Sequence, residues 1–184
     1  VLYVTDLWPE NVKYAGGINN TKILNLIGSM VDYIYGKTDL ILTSSKSFIS
    51  AIKSRGVSGD KIKFWPQYAE EWYMPIDQAK INLPFIPQDG KLNLLFAGNI
   101  GKAQGLEVLP KAAEILKGKN VAVRFNIVGD GRFKETLEQM VQDKDVSDYF
   151  NFIERQPATK IPEYMSACDA ALITLAKNDI FSMT

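Results

Sequence analysis

Histidine is absent from the 184 residues of this chain, cysteine occurs once, and no apolar run reaches the length that a bilayer demands. The missing histidine removes Ser-His and Cys-His nucleophile pairs together with imidazole-ligated metal centres. Any chemistry therefore rests on carboxylates, Lys, Arg and backbone groups. The lone thiol, Cys168 between Ala167 and Asp169, supplies no disulfide framework and reads as a small core residue, which favours a cytoplasmic protein. With no stretch near the roughly 20 residues of a spanning helix and no signal-peptide pattern, neither a membrane span nor secretion is expected. An excess of one charge is missing too. The 21 basic residues balance 21 acidic ones, and no Lys/Arg-rich run interleaves with the aromatics, which argues against a nucleic-acid partner. The chain opens on Val1-Leu2-Tyr3-Val4 rather than on Met, as expected for a fragment of a longer protein.

Glycine is concentrated where an apolar run turns into a helical pattern. Leu92, Leu94, Leu95, Phe96 and Ala97 read as a buried strand, the loop runs from Gly98 to Gly105, and Leu106, Leu109, Ala113 and Leu116 recur at helical spacing. A strand, a Gly-rich turn and a helix N-terminus together make an anion-binding layout, because backbone N–H groups and the helix dipole face the guest. Gly98, Gly101 and Gly105 do not fit the dinucleotide fingerprint. The P-loop pattern fails as well, since Ala103 follows Gly101-Lys102 and Phe96 stands where its first Gly belongs. NAD and P-loop chemistry are set aside. Glycine placed only to make the turn remains the alternative reading of this loop.

The rest of the chain alternates between strands and helices, with strands that read as continuous apolar runs, the pattern of a parallel sheet covered on both faces. The first block contains strands at 2–5, 40–43 and 62–65, a helix striped by Ile23, Ile27, Met30, Val31 and Ile34, and a Ser-capped helix over about 47–55. Pro75, Pro84 and Pro87 mark residues 74–90 as a linker. The second block adds the alternation Val121, Val123, Phe125, Ile127, the turn Gly129-Asp130-Gly131, and a helix striped by Phe133, Leu137, Met140 and Val141. Strands at 150–153 and 170–175 and a helix opened by Pro162 complete it. Pro110 falls early in the helix after the Gly-rich loop, where it implies a late start or a kink. Three loops, 98–105, 129–131 and 154–159, then lie at carboxyl ends of strands and converge on one crevice. Asp143-Lys144-Asp145 has the look of a metal-binding D-x-D, but it follows a helix in a polar run and reads as a solvated helix end.

Asp6-Leu7-Trp8-Pro9-Glu10, the run Phe96 to Leu106, Val128-Gly129-Asp130-Gly131 and the run Ile161 to Asp169 together resemble the retaining glycosyltransferases of family four. The resemblance covers essentially the whole chain and is nearest to bacterial surface-polysaccharide enzymes that use UDP-linked N-acetylated deoxysugars such as UDP-N-acetylfucosamine. It implies an α/β GT-B architecture of two Rossmann-like parallel sheets, both incomplete. Residues 1–73 would be the end of the acceptor-side domain, and residues 91–184 the first part of the donor-binding domain.

The resemblance also implies the site. The donor diphosphate would lie on Gly98, Asn99, Gly101, Lys102, Gln104 and Gly105, with Lys102 replacing one of the two cations that many members carry where this chain has Asn99 and Gln104. Base and ribose would be held by Gly129, Asp130, Gly131, Asn151, Glu154, Arg155 and Gln156. Counting on from Asp169 puts Asp179 at or next to the first of the family's paired carboxylates, with the second beyond Thr184. The implied reaction is sugar transfer with retention from a UDP-sugar to a lipid-linked or saccharide acceptor, with no cofactor and no metal. The expected place is the cytoplasm, with peripheral contact at the inner face of the plasma membrane through residues outside this chain. A non-catalytic nucleotide-sugar binding module and a UDP-sugar 2-epimerase are the alternatives, the latter disfavoured by the missing histidine.

Overall fold

Each strand-to-strand connection in this sequence is long enough to contain a helix, and that is the condition for parallel pairing. A computed structural model of the chain, which describes residues 1–14, 16–77, 81 and 83–177, has only parallel pairs among them. The chain divides into two compact units, Val1–Tyr68 and Ala69–Ala176.

In the first unit β1 (Leu2–Val4), β2 (Ile41–Thr43) and β3 (Ile62–Phe64) pair in that order, with helices α1 (Glu10–Tyr14), α2 (Thr21–Lys37) and α3 (Lys46–Ser54) between them. The Asn20 side chain starts α2 by accepting from the N–H groups of Lys22 and Ile23 at 3.0 and 3.4 Å. Val31 and Tyr35 of α2 join Val4, Ile41, Phe48 and Ile52 in the core. The expected helix stripe is therefore corrected. Ile23, Met30 and Ile34 are exposed, because the Arg55 guanidinium donates to the Gly28 carbonyl and to Asp32, each at 2.8 Å, and fixes which face turns inward. Nor do the described residues cover this sheet on both faces, since Tyr3 of β1 and Lys63 of β3 are exposed. Helix α3 begins one residue earlier than expected, with Ser45 at the N-cap position and its hydroxyl 2.7 Å from that of Ser47.

The second unit has a four-stranded sheet of β4 (Leu92–Asn99), β5 (Val123–Asp130), β6 (Phe150–Ile153) and β7 (Ala170–Ala171) in the order β6-β5-β4-β7. Strand β5 is buried from Val123 to Gly129, which is why it reads as an uninterrupted apolar run around Asn126. On one face Phe125 and Ile127 meet Leu109 and Ala113 of α4 (Val108–Gly118) and Leu137 and Val141 of α5 (Lys134–Asp143). Pro110 is no contradiction there. It occupies the first turn of α4, where an N–H has no intrahelical partner to lose. On the other face Leu95 and Val128 meet Ile86 and Tyr164 of α6 (Ile161–Ala167).

The stretch 74–90, expected as a linker, carries part of this second face. Ile86 is buried, Asn93 and Arg124 donate to the Pro87 carbonyl at 3.1 Å, and Asn151 donates to the Phe85 carbonyl at 2.5 Å. Strand β7 is shorter than the expected 170–175. It pairs with β4, the Leu172 N–H donates to the Leu95 carbonyl at 2.7 Å, and Ile173 beyond it is 91% exposed.

Candidate functional site

Strands β4, β5 and β6 end side by side, and a cavity of about 540 Å³ lies beyond their carboxyl ends. Gly98 and Asn99 from β4 and Gly129, Asp130 and Gly131 from β5 form one side of it, and Arg155 and Gln156 after β6 form another. Ala97, Val128, Ala158 and Ile161 add an apolar lining, and Tyr73 closes the remaining wall. The three loops expected to converge therefore do so in part.

The two glycine turns are joined through Ile100, which is fully buried. Its N–H donates to the Asp130 carbonyl at 2.8 Å, and its carbonyl accepts from the Phe133 N–H at 3.0 Å. The turns lie so close that a Cβ on Gly129, whose φ is +148°, would fall 2.0 Å from the Gly98 carbonyl oxygen, and one on Gly131 would fall 2.3 Å from that of Ile100. Asp130 holds its own turn by accepting from the Gly131 N–H at 2.7 Å.

The second half of the Gly-rich loop does not line the cavity. Lys102–Gln104 form one 3₁₀ turn, Gly105 is left-handed with φ +64°, and α4 starts only at Val108. The helix therefore starts late, one of the two outcomes that Pro110 implied, because the left-handed Gly105 and the buried Leu106 turn the chain first. Gly105 is needed for another close approach. A Cβ there would meet the Leu175 and Ala176 backbone at 2.9 Å, and the Ala176 N–H donates to the Ala103 carbonyl at 2.9 Å. Gly101, Lys102 and Gln104 are likewise not among the residues that line the cavity.

Two further expected site residues have other partners. The Asn151 amide donates to the Asn126 side chain at 2.9 Å beneath the 83–90 strap, and the Glu154 carboxylate pairs with Lys134 at 2.7 Å. That pair pushes the Lys134 ammonium above its usual range. Gln156 donates to the Glu154 carbonyl at 3.0 Å. Arg155 is the one cationic side chain among the described wall residues, and it makes no ion pair with any described residue. Asp179 lies outside the described residues. Asp143 accepts from Gln139, while Asp145 pairs with Lys117, whose ammonium holds its carboxyl below the usual range. Among the described residues no group of three or more His, Cys, Asp or Glu is placed to hold a metal. Ala158 falls within the expected 154–159 loop and Ile161 opens the expected helix, whereas Tyr73 had no sequence signal beyond the aromatic pair Trp72-Tyr73 just ahead of Pro75.

The model of the family described as "Glycosyl transferases group 1" matches residues 80–184, more than half of the chain. The chain belongs to this family. Among curated proteins it is 26% identical over 178 residues to the probable glycosyltransferase WbjE of Pseudomonas aeruginosa, covering 95% of this chain and 44% of that protein. It is 28% identical over 139 residues to WcaI of Escherichia coli K12, a putative colanic acid biosynthesis glycosyl transferase, covering 73% of this chain and 33% of that one. Among solved structures it superimposes on Anabaena HepE in complex with UDP with a TM-score of 0.69 at 15% identity, covering 96% of this chain and 47% of that one. The chain thus spans less than half the length of these relatives. The likeness to HepE establishes the fold, that of the GT-B glycosyltransferases. Within this group 1 glycosyl transferase chain, two glycine turns braced against each other and one unpaired guanidinium border a shared cavity, an arrangement able to bind an anion beside a planar or apolar group. No helix of the described residues is long and apolar enough to cross a membrane.

Proposed function

We propose that this chain carries the donor site of a retaining glycosyltransferase. Its donor would be a UDP-sugar, in the narrower reading a UDP-linked N-acetylated deoxyhexose, and its acceptor a lipid-linked or other saccharide in bacterial surface-polysaccharide synthesis. The observation that carries the reading is the cavity at the ends of β4, β5 and β6, where the braced glycine turns form one side and Arg155 supplies positive charge. The family and the UDP complex of HepE support a nucleotide sugar as the guest. Stabilisation of the leaving diphosphate by backbone N–H groups and Arg155 requires no metal and no histidine. Asp179 is assigned the first position of the carboxylate pair beside the donor sugar. Residues 1–73 would serve the acceptor side, and a location in the cytoplasm with peripheral membrane contact fits a lipid-linked acceptor.

Titration calorimetry with UDP tests the donor site. Arg155→Ala weakens UDP by about 1 to 2 kcal/mol through loss of one charge-assisted contact. Lys102→Ala, away from the wall, changes affinity less than about twofold, and chelator leaves both values unchanged. Equal affinity of wild type and Arg155→Ala would place the diphosphate elsewhere, and binding abolished by chelator and restored by magnesium would overturn the metal-free reading.

A further inference from the structure

Tyr73 is the one described wall residue that precedes the sheet in sequence, and it is an aromatic residue 37% exposed in a position to meet a ligand. Its placement is fixed on both sides. The Tyr73 N–H donates to the Glu70 carbonyl at 3.0 Å, closing a turn, and three residues on, the Ile76 N–H donates to the Ser166 hydroxyl of α6 at 3.4 Å. Helix α6 also contributes Ile161 to the wall and buries Tyr164 in the core, so the segment carrying Tyr73 is tied at Ile76 to an element anchored in the core.

The chemistry of the wall is unevenly distributed. Arg155 supplies a cation suited to phosphate, whereas the side chains of Ala97, Ala158 and Ile161 offer no hydrogen bonds and Gln156 offers a carboxamide. A planar group with apolar faces and a polar edge fits such a surface, and an aromatic ring is the side chain that recognises its face. We infer that Tyr73 is the stacking surface for the nucleobase of the bound nucleoside diphosphate, a specificity residue contributed by the segment that precedes the sheet. The inference rests on the donor-site reading above. It assigns base recognition to the ring and leaves the phosphates to the turns and Arg155.

The test compares UDP with inorganic pyrophosphate in titrations of the full-length protein and its Tyr73→Ala and Tyr73→Phe variants. Loss of stacking should weaken UDP by about tenfold in Tyr73→Ala, while Tyr73→Phe keeps wild-type affinity and pyrophosphate binds all three alike. Equal weakening of UDP and pyrophosphate by Tyr73→Ala overturns the inference in favour of a structural role. Loss in Tyr73→Phe as large as in Tyr73→Ala overturns it in favour of the hydroxyl. Wild-type protein that binds no UDP overturns the donor-site reading itself. In wild-type protein labelled with 3-fluorotyrosine, where Tyr73→Phe identifies the resonance, the fluorine signal of Tyr73 should shift on adding UDP and stay in place on adding pyrophosphate. This readout does not require the alanine variant to fold, and an unmoved signal at saturating UDP overturns the inference.

Discussion

At the scale of single residues, the glycines of this chain divide by what stands opposite the missing Cβ. Gly129 faces the Gly98 carbonyl, a backbone atom that cannot move aside, at a φ of +148° that other residues rarely adopt. Gly129→Ala should therefore lower unfolding stability by about 2 to 3 kcal/mol, read as a loss in urea midpoint. Gly101 has an ordinary φ of −116°, and its nearest neighbour is the Asn99 amide at 3.0 Å, the end of a side chain that can rotate away. Gly101→Ala should change stability by less than about 0.5 kcal/mol, and a larger loss there than at Gly129 would contradict this ordering. Both glycines are legible in the sequence as turn residues. Which of them is required is not, because the atoms that decide it belong to another strand or, for Gly105, to residues 70 positions later.

At the scale of elements, strands and helices follow from apolar periodicity, and the departures arise where polar contacts choose the face. Asn93, Arg124 and Asn126 are buried in strands that otherwise read as apolar, and they form a ladder that ties the strap at Pro87 and Asp89 to the sheet. No local pattern marks an Asn in a strand as a partner for a backbone carbonyl six residues upstream. The Arg124 guanidinium, 2.6 Å from Asp89, holds its carboxyl down at about 2, below its ordinary 3.8. The folded pKa is the lower one, so the contribution of Asp89 is fully present above pH 3.8 and is lost as pH falls through about 2. Asp89→Asn should therefore lower the melting temperature at pH 6, with the difference from wild type closing between pH 4 and pH 2. A difference that persists unchanged at pH 2 would mean that the pair does not hold the strap.

At the scale of the whole molecule, each unit has its own core, and every described residue that walls the cavity lies within Ala69–Ala176. A polypeptide of residues 69–176 should then unfold in one cooperative transition and bind UDP within about threefold of the complete protein. A fragment that folds but loses more than tenfold in affinity would show that residues outside this unit complete the nucleotide site. The fold class and the position of the site at strand carboxyl ends were legible because parallel α/β alternation leaves few places for a ligand. The wall supplied by Tyr73 was not, since it comes from a segment without periodicity.

The double attachment of Ile100 makes one side of the cavity a fixed floor. Two backbone bonds tie Ile100 to Asp130 and Phe133, at about 1 kcal/mol each, and its fully buried side chain adds to what any displacement would cost. A guest therefore meets the glycine turns as they stand, and exchange of one base for another is left to the far wall, where a single ring can be replaced without disturbing the sheet.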